Sequence, residues 1–266
     1  LLEMSYERAP YDADSIYDIY LMKYSNNVYG FNLPDPSGSS NQDEESGKSS
    51  HLRIDNDFTG QSAGSDISAL DIMRITLVHE YFHAVQRGYK PNYLTTDTYF
   101  LEMSSMWLEA VMIPNGNDYL DITWIDDLLN SPTKPFNSLP GYQFALFGHY
   151  LSSFIDPNGV EDSKKSTIML EIWDQYKQGG TALNAVQHVL DGDKYPLFIE
   201  CWTDFISRNL YNGIDESFYY YSDQAFIDPI LTNPQDFEDL EKITLQLDDE
   251  SIAIKSFYID TIDTLF

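Results

Sequence analysis

Cysteine occurs once, at Cys201, so the chain cannot close an intramolecular disulfide. That thiol sits in the apolar, helix-patterned stretch Leu197-Phe198-Ile199-Glu200-Cys201-Trp202-Thr203-Asp204-Phe205-Ile206, where a cysteine is expected to be buried and inert. So low a cysteine content suits the cytoplasm and secreted bacterial enzymes alike. Basic residues are also scarce: 15 Lys and Arg stand against 43 Asp and Glu, for a formal charge of −28. Phosphate recognition needs clustered Lys and Arg, so the composition excludes a nucleic-acid partner and disfavours an anionic membrane surface. No apolar run approaches the ~20 residues of a membrane span, and no signal peptide is visible. The chain opens Leu1-Leu2-Glu3 without an initiator methionine, which points to a trimmed or processed segment of a longer precursor. The Gly/Ser-rich stretch around Asp43-Glu44-Glu45 reads as a loop. It is not a calcium loop, because it lacks a ligand at every second position.

Histidine is scarce too, with five in 266 residues, yet two fall in Ile75-Thr76-Leu77-Val78-His79-Glu80-Tyr81-Phe82-His83-Ala84-Val85-Gln86. On a helix, residues four apart lie nearly above one another, about 6 Å along the axis, so His79 and His83 can offer nitrogens to one ion. Glu80 is rotated about 100° from His79 and can reach a water on that ion without being a ligand. The H-E-x-x-H pattern predicts a zinc-dependent hydrolase of the metallopeptidase kind. Ser65, Asp66 and Ser68 are candidate N-caps, and an apolar stripe from Ile67 to Val85 predicts a largely buried helix to about Arg87, stopped by Gly88.

A catalytic zinc takes three protein ligands and leaves one position open. A third histidine through H-x-x-G-x-x-H is excluded, because Gln86 stands where glycine is required and Tyr89 where histidine is required. The alternative is a glutamate on a second helix. Tyr99 to Val111 is helix-patterned, closed by Pro114-Asn115-Gly116, and carries Glu102 and Glu109. Seven residues is nearly two turns, so both share one face about 10 Å apart and cannot both bind the same ion. Periodicity alone leaves the choice open.

His-Glu-Tyr-Phe-His-Ala-Val-Gln followed by Phe-Leu-Glu-Met-Ser-Ser-Met-Trp-Leu-Glu resembles the glutamate zincins, or gluzincins, and most of all secreted bacterial metallopeptidases with HEfFHAvQ and E-G-T-A-x-W-M-E segments. The likeness spans roughly residues 15 to 210 and is specific in the two helices. It implies Glu102 as third ligand, after eighteen intervening residues beyond His83, with Glu109 supporting the site, and a secreted or cell-surface setting. Met103-Ser104-Ser105 replaces Gly-Thr-Ala, and Met106 stands where a thermolysin-type site has an aspartate. The site expected from the resemblance is thus Zn2+ on His79, His83 and Glu102, acting on a peptide or protein substrate.

In such a site zinc would bring the pKa of bound water near 7, and Glu80 would act as general base. The developing oxyanion needs a further donor. Tyr142, in Leu139-Pro140-Gly141-Tyr142-Gln143-Phe144, is the candidate, with His149 behind it and Tyr89 weaker. His51 and His188 read as surface or packing residues, and Tyr219-Tyr220-Tyr221 as packing in preference to a substrate platform. No G-x-M-E-N-like exopeptidase sequence is present, which favours an endopeptidase. A non-catalytic module of similar fold, used for cell-surface or protein and carbohydrate binding, is the competing expectation.

The expected fold is α+β, zincin-like and two-lobed. Residues 1–115 would hold a small sheet, the motif helix and the second helix. Residues 116–240 would form a helical lobe, with helices at 118–130, 142–156, 163–178, 181–190 and 195–211, and residues 241–266 a β-hairpin or the start of a β domain. Strands are expected at 15–24 and 51–58, the latter as the edge that pairs with substrate.

Overall fold

The computed structural model describes residues 1–12, 14, 16–24, 28–35, 48–58, 67–114, 116, 118–120, 124, 128, 135–138 and 140–209. The C-terminal hairpin, the Tyr219-Tyr220-Tyr221 run and the acidic loop around Asp43 fall outside these residues, as does most of the helix expected at 118–130. The architecture is α+β. A three-stranded mixed sheet packs against helices near the N-terminus, and the remaining described elements are helical. Among the described residues no helix is long and apolar enough to cross a membrane.

The sheet comprises β1 (Ile19–Met22), β2 (Gly30–Pro34) and β3 (Ser50–Asp55), in the order β1-β3-β2. β3 pairs parallel with β1, with Ile19 opposite Leu52, and antiparallel with β2, with Gly30 opposite Ile54. This corrects the expectation for residues 51–58: β3 is the central strand, and β2 is an edge. The sequence reading missed β2 altogether, because Gly30-Phe31-Asn32-Leu33-Pro34 contains three residue types that are poor in strands. An edge strand tolerates them, since Pro34 lies at the end of the strand, where its missing N–H costs no ladder bond. Leu52 and Ile54 on β3 are buried and form a small apolar cluster with Phe58 and Ile72.

Helix α1 (Ala69–Tyr89) carries the motif, and its N-cap Ser68 accepts a hydrogen bond from the Asp71 amide at 3.2 Å. Gly88 does not stop it. The glycine is buried inside the last turn, where an added Cβ would meet the Pro10 ring at 3.4 Å, and the helix ends at Tyr89, two residues before Pro91. Gly30 brings β2 close to α1, because a Cβ there would stand 2.9 Å from Cγ2 of Thr76 and 2.8 Å from Cδ1 of Ile54.

Helix α2 (Thr98–Met112) lies against α1, and most of its residues are buried. Beyond it come α3 (Ala145–Tyr150), α4 (Ile168–Gln178), α5 (Ala182–Leu190) and α6 (Phe198–Asn209). The helix expected over 142–156 is three conformations in succession: a 3-10 turn at Tyr142–Phe144, α3, and a π-helical turn at Leu151–Ile155. The main core joins α1 and α2 to these helices through buried aromatics, among them Phe82, Phe100, Trp107, Phe147, Trp173 and Trp202. Trp107 donates to the Ser152 hydroxyl at 2.9 Å, which ties α2 to the π turn. Cys201 is buried, as expected, with its thiol facing the Pro196 carbonyl.

Candidate metal centre

His79 and His83 project from one face of α1 toward Glu102 on α2. The three donor atoms form a small triangle. Nε2 of His83 is 3.0 Å from Nε2 of His79, and Oε2 of Glu102 lies 3.2 Å from Nε2 of His79 and 3.4 Å from Nε2 of His83. Ligands about 2.0–2.2 Å from a tetrahedral zinc stand roughly 3.3 Å from one another, so the triangle has the size such an ion needs. Among the described residues this is the cluster of three such donors able to hold a metal ion.

The outer nitrogens decide what the inner ones can do. Nδ1 of His79 is held by the carboxylate of Glu109, which is 3% exposed and can only accept. Nδ1 of His83 faces Oε1 of Gln86 at 2.8 Å. The Gln86 amide nitrogen donates to the Leu101 carbonyl at 3.0 Å and lies 3.1 Å from the hydroxyls of Ser104 and Ser105. A carbonyl can only accept, so the NH2 must point to α2 and the Gln86 oxygen to His83. Both histidines therefore carry their proton on Nδ1 when neutral, and two Nε2 lone pairs face each other at 3.0 Å beside a carboxylate. That arrangement needs a positive charge at its centre. The donor set, two imidazoles and one carboxylate, suits zinc.

The electrostatics agree with that need. Burial acts to lower the His79 pKa, but Glu109 and Glu102 outweigh it and push the value well up. Burial acts to raise Glu102, but its contacts with His79 and His83 hold it well below the usual carboxylate range. The pocket favours anionic Glu102 and a cation between it and the imidazoles.

The donors open on a cleft of about 360 Å3. Glu80 lines it beside His79, Tyr142 lines it from across α2, and Gly30, Phe31 and Asn32 of β2 form part of its wall. The Tyr142 ring lies 6.2 Å from the His79 ring and 4.8 Å from Trp124. Its hydroxyl pKa is pushed up, first by burial and then by the Glu102 charge, so it remains a donor. Gly141 makes this placement possible. It has φ +107°, and a Cβ there would overlap the Tyr99 backbone, 2.1 Å from its carbonyl oxygen.

Other candidates lie elsewhere. His149 is buried against Tyr119, with ring centroids 4.5 Å apart, and is not part of the cleft wall. Tyr89 is buried, and its hydroxyl accepts from the Glu7 amide at 3.1 Å. His51 pairs through Nδ1 with Asp35 at 2.8 Å, and His188 is exposed on α5. Sequence reasoning used Gln86 only to exclude a motif. Its position three residues beyond His83, on the same helix face, was the available signal for its role. No protein-family model matches the chain, and no curated protein or solved structure matches it either.

Proposed function

We propose that the protein is a zinc-dependent peptidase, with His79, His83 and Glu102 as the metal ligands, Glu80 as general base and Tyr142 as oxyanion donor. The observation that carries this reading is the triangle of two Nε2 atoms and one carboxylate oxygen, with both Nδ1 atoms already committed. A zinc ion held there would acidify a water and polarise a scissile carbonyl. Glu80, on the cleft side of α1, takes the proton from the attacking water and passes it to the leaving amine. Tyr142 donates its hydroxyl hydrogen bond to the carbonyl oxygen as negative charge develops there. The strand β2, an edge among the described residues, offers its outer backbone groups to an extended peptide, which orients it along the cleft and favours internal cleavage.

The test is zinc stoichiometry together with cleavage of an unstructured protein, wild type against Glu80→Gln. One zinc per chain is expected in both. The variant should lose about 10²- to 10⁴-fold in rate, the usual contribution of a positioned base. Equal rates would sink the mechanism. One zinc with no cleavage by either protein would favour the non-catalytic binding module.

A further inference from the structure

The cleft has a second chemical end. Arg87, in the last turn of α1, and Lys90, just past its end, follow His83 by four and seven residues, and both line the same cleft. Helical rise places them about 6 and 10 Å beyond His83 along the axis, the reach of two to three residues of extended peptide. In a chain of net charge −28, cations are expected to be claimed by carboxylates. The other basic side chains of the described residues pair with a carboxylate, as Lys177 does with Glu7, or stand exposed.

Arg87 and Lys90 do neither. Both are half-buried, and their polar partners are neutral. Nε of Arg87 donates to Oδ1 of Asn32 at 2.6 Å, and the Asn32 amide donates in turn to Tyr17 Oη and Ser50 Oγ, each at 3.0 Å. That chain fixes the guanidinium by one edge, and among the described residues no partner claims its terminal nitrogens. Lys90 Nζ donates to the Tyr176 carbonyl at 3.1 Å and lies 4.7 Å from the centroid of the Tyr176 ring. An ammonium has three donors, and one is used among the described residues.

We propose that Arg87 and Lys90 form a carboxylate subsite, so that the preferred substrates are peptides with an acidic group two or three residues from the cleaved bond. The inference deepens the peptidase reading and rests on it. The chemistry recognised is a peptide carboxylate, and it has two sources: an Asp or Glu side chain, or a free C-terminus. Arg87 supplies the fork that meets such a group with two parallel hydrogen bonds, and Lys90 supplies a second point charge.

The experiment uses the zinc-loaded full chain and three kinds of otherwise identical peptide. One has blocked ends and a single Glu moved through successive positions. The second has Gln at each of those positions, and the third has Gln with a free C-terminal carboxylate. Binding is read on Glu80→Gln by fluorescence anisotropy, and cleavage on the protein with Glu80 intact. A charge-assisted contact is expected to make at least one carboxylate peptide bind about tenfold or more tightly than its Gln counterpart. Whether the Glu series or the free C-terminus shows the gain identifies the source. The double substitution Arg87→Gln, Lys90→Gln should bring the ratio close to one. The ratio is taken within each protein, so a general loss of folding or zinc does not imitate the result, and Arg87→Lys should restore part of it. Equal binding of all the peptides, binding of none, or a preference that survives the double substitution overturns the subsite. Cleavage without preference removes the subsite and leaves the peptidase reading; preference in binding without cleavage does the reverse.

Discussion

His79, its side chain 13% exposed, and the buried His149, 7% exposed, both stand on helices with little access to water, yet their surroundings drive them in opposite directions. His79 has a carboxylate on each side, Glu109 at Nδ1 and Glu102 at Nε2, and its pKa is raised despite burial. His149 faces the Tyr119 ring, its Nε2 has no hydrogen-bond partner among the described residues, and burial alone pulls its pKa down to about 3. Burial does not make a site. The groups that face the two ring nitrogens do, and around His79 they are arranged to demand a cation where around His149 they exclude one.

The comparison is broken most directly at Glu102. Removing it leaves two lone pairs without the anion that holds a divalent ion between them. Zinc at a hundred times its dissociation constant should stabilise the fold by about 2.7 kcal/mol. Glu102→Ala should weaken zinc by more than about a hundredfold, the upper range for changes outside the ligand shell, and erase that increment in melting temperature. Undiminished zinc binding, measured by chelator competition, would show that the third ligand lies elsewhere.

The supports of the two ligand histidines sharpen the comparison further. Glu109 is an anion and Gln86 a neutral amide, so their losses should differ in size. Glu109→Gln should weaken zinc by about 10- to 100-fold and Gln86→Leu by less, since only the first removes a charge that stabilises the bound cation. Histidine nitrogen NMR of the zinc-bound chain checks the cause: Gln86→Leu should free the His83 tautomer and leave His79 on Nδ1–H. Equal losses, or no change at His83, would count against the tautomer argument.

The smallest effect is expected at His149, and it is read in stability. A folded-state pKa of about 3 against an ordinary 6.5 means that the unfolded chain binds the proton first. The stability is present in full above 6.5 and is lost as pH falls toward the folded value, at up to about 1.4 kcal/mol per pH unit. His149→Phe should therefore lose less melting temperature between pH 7 and pH 4 than the unsubstituted chain. Parallel curves would show that His149 is not neutral and buried as described.

Much of the site was legible because it is local. The four-residue spacing of His79 and His83, the offset of Glu80 and the shared face of Glu102 and Glu109 all follow from helical periodicity. The apolar stripe announced α1, but Gly88 misled as a stop signal, since its small size serves the contact with Pro10 and not a change of backbone direction. β2 was illegible for a related reason. Gly30 is there for the close approach to Thr76 and Pro34 because an edge permits it, and neither follows from strand propensity.

By itself, then, the sequence determined that two histidines and a glutamate share one stretch of helix, and that a second helix offers two carboxylates on one face. It left open which carboxylate meets the histidines. Only the packing of α1 on α2 sets Glu102 at their Nε2 atoms and Glu109 behind, at Nδ1 of His79. Only the tertiary structure brings Tyr142 and β2 to the cleft, and leaves Arg87 and Lys90 facing it without an anionic partner among the described residues. Spacing along a helix is written in consecutive residues. A contact between helices depends on the whole core packed around them, whose side chains are scattered from Met4 to Phe205.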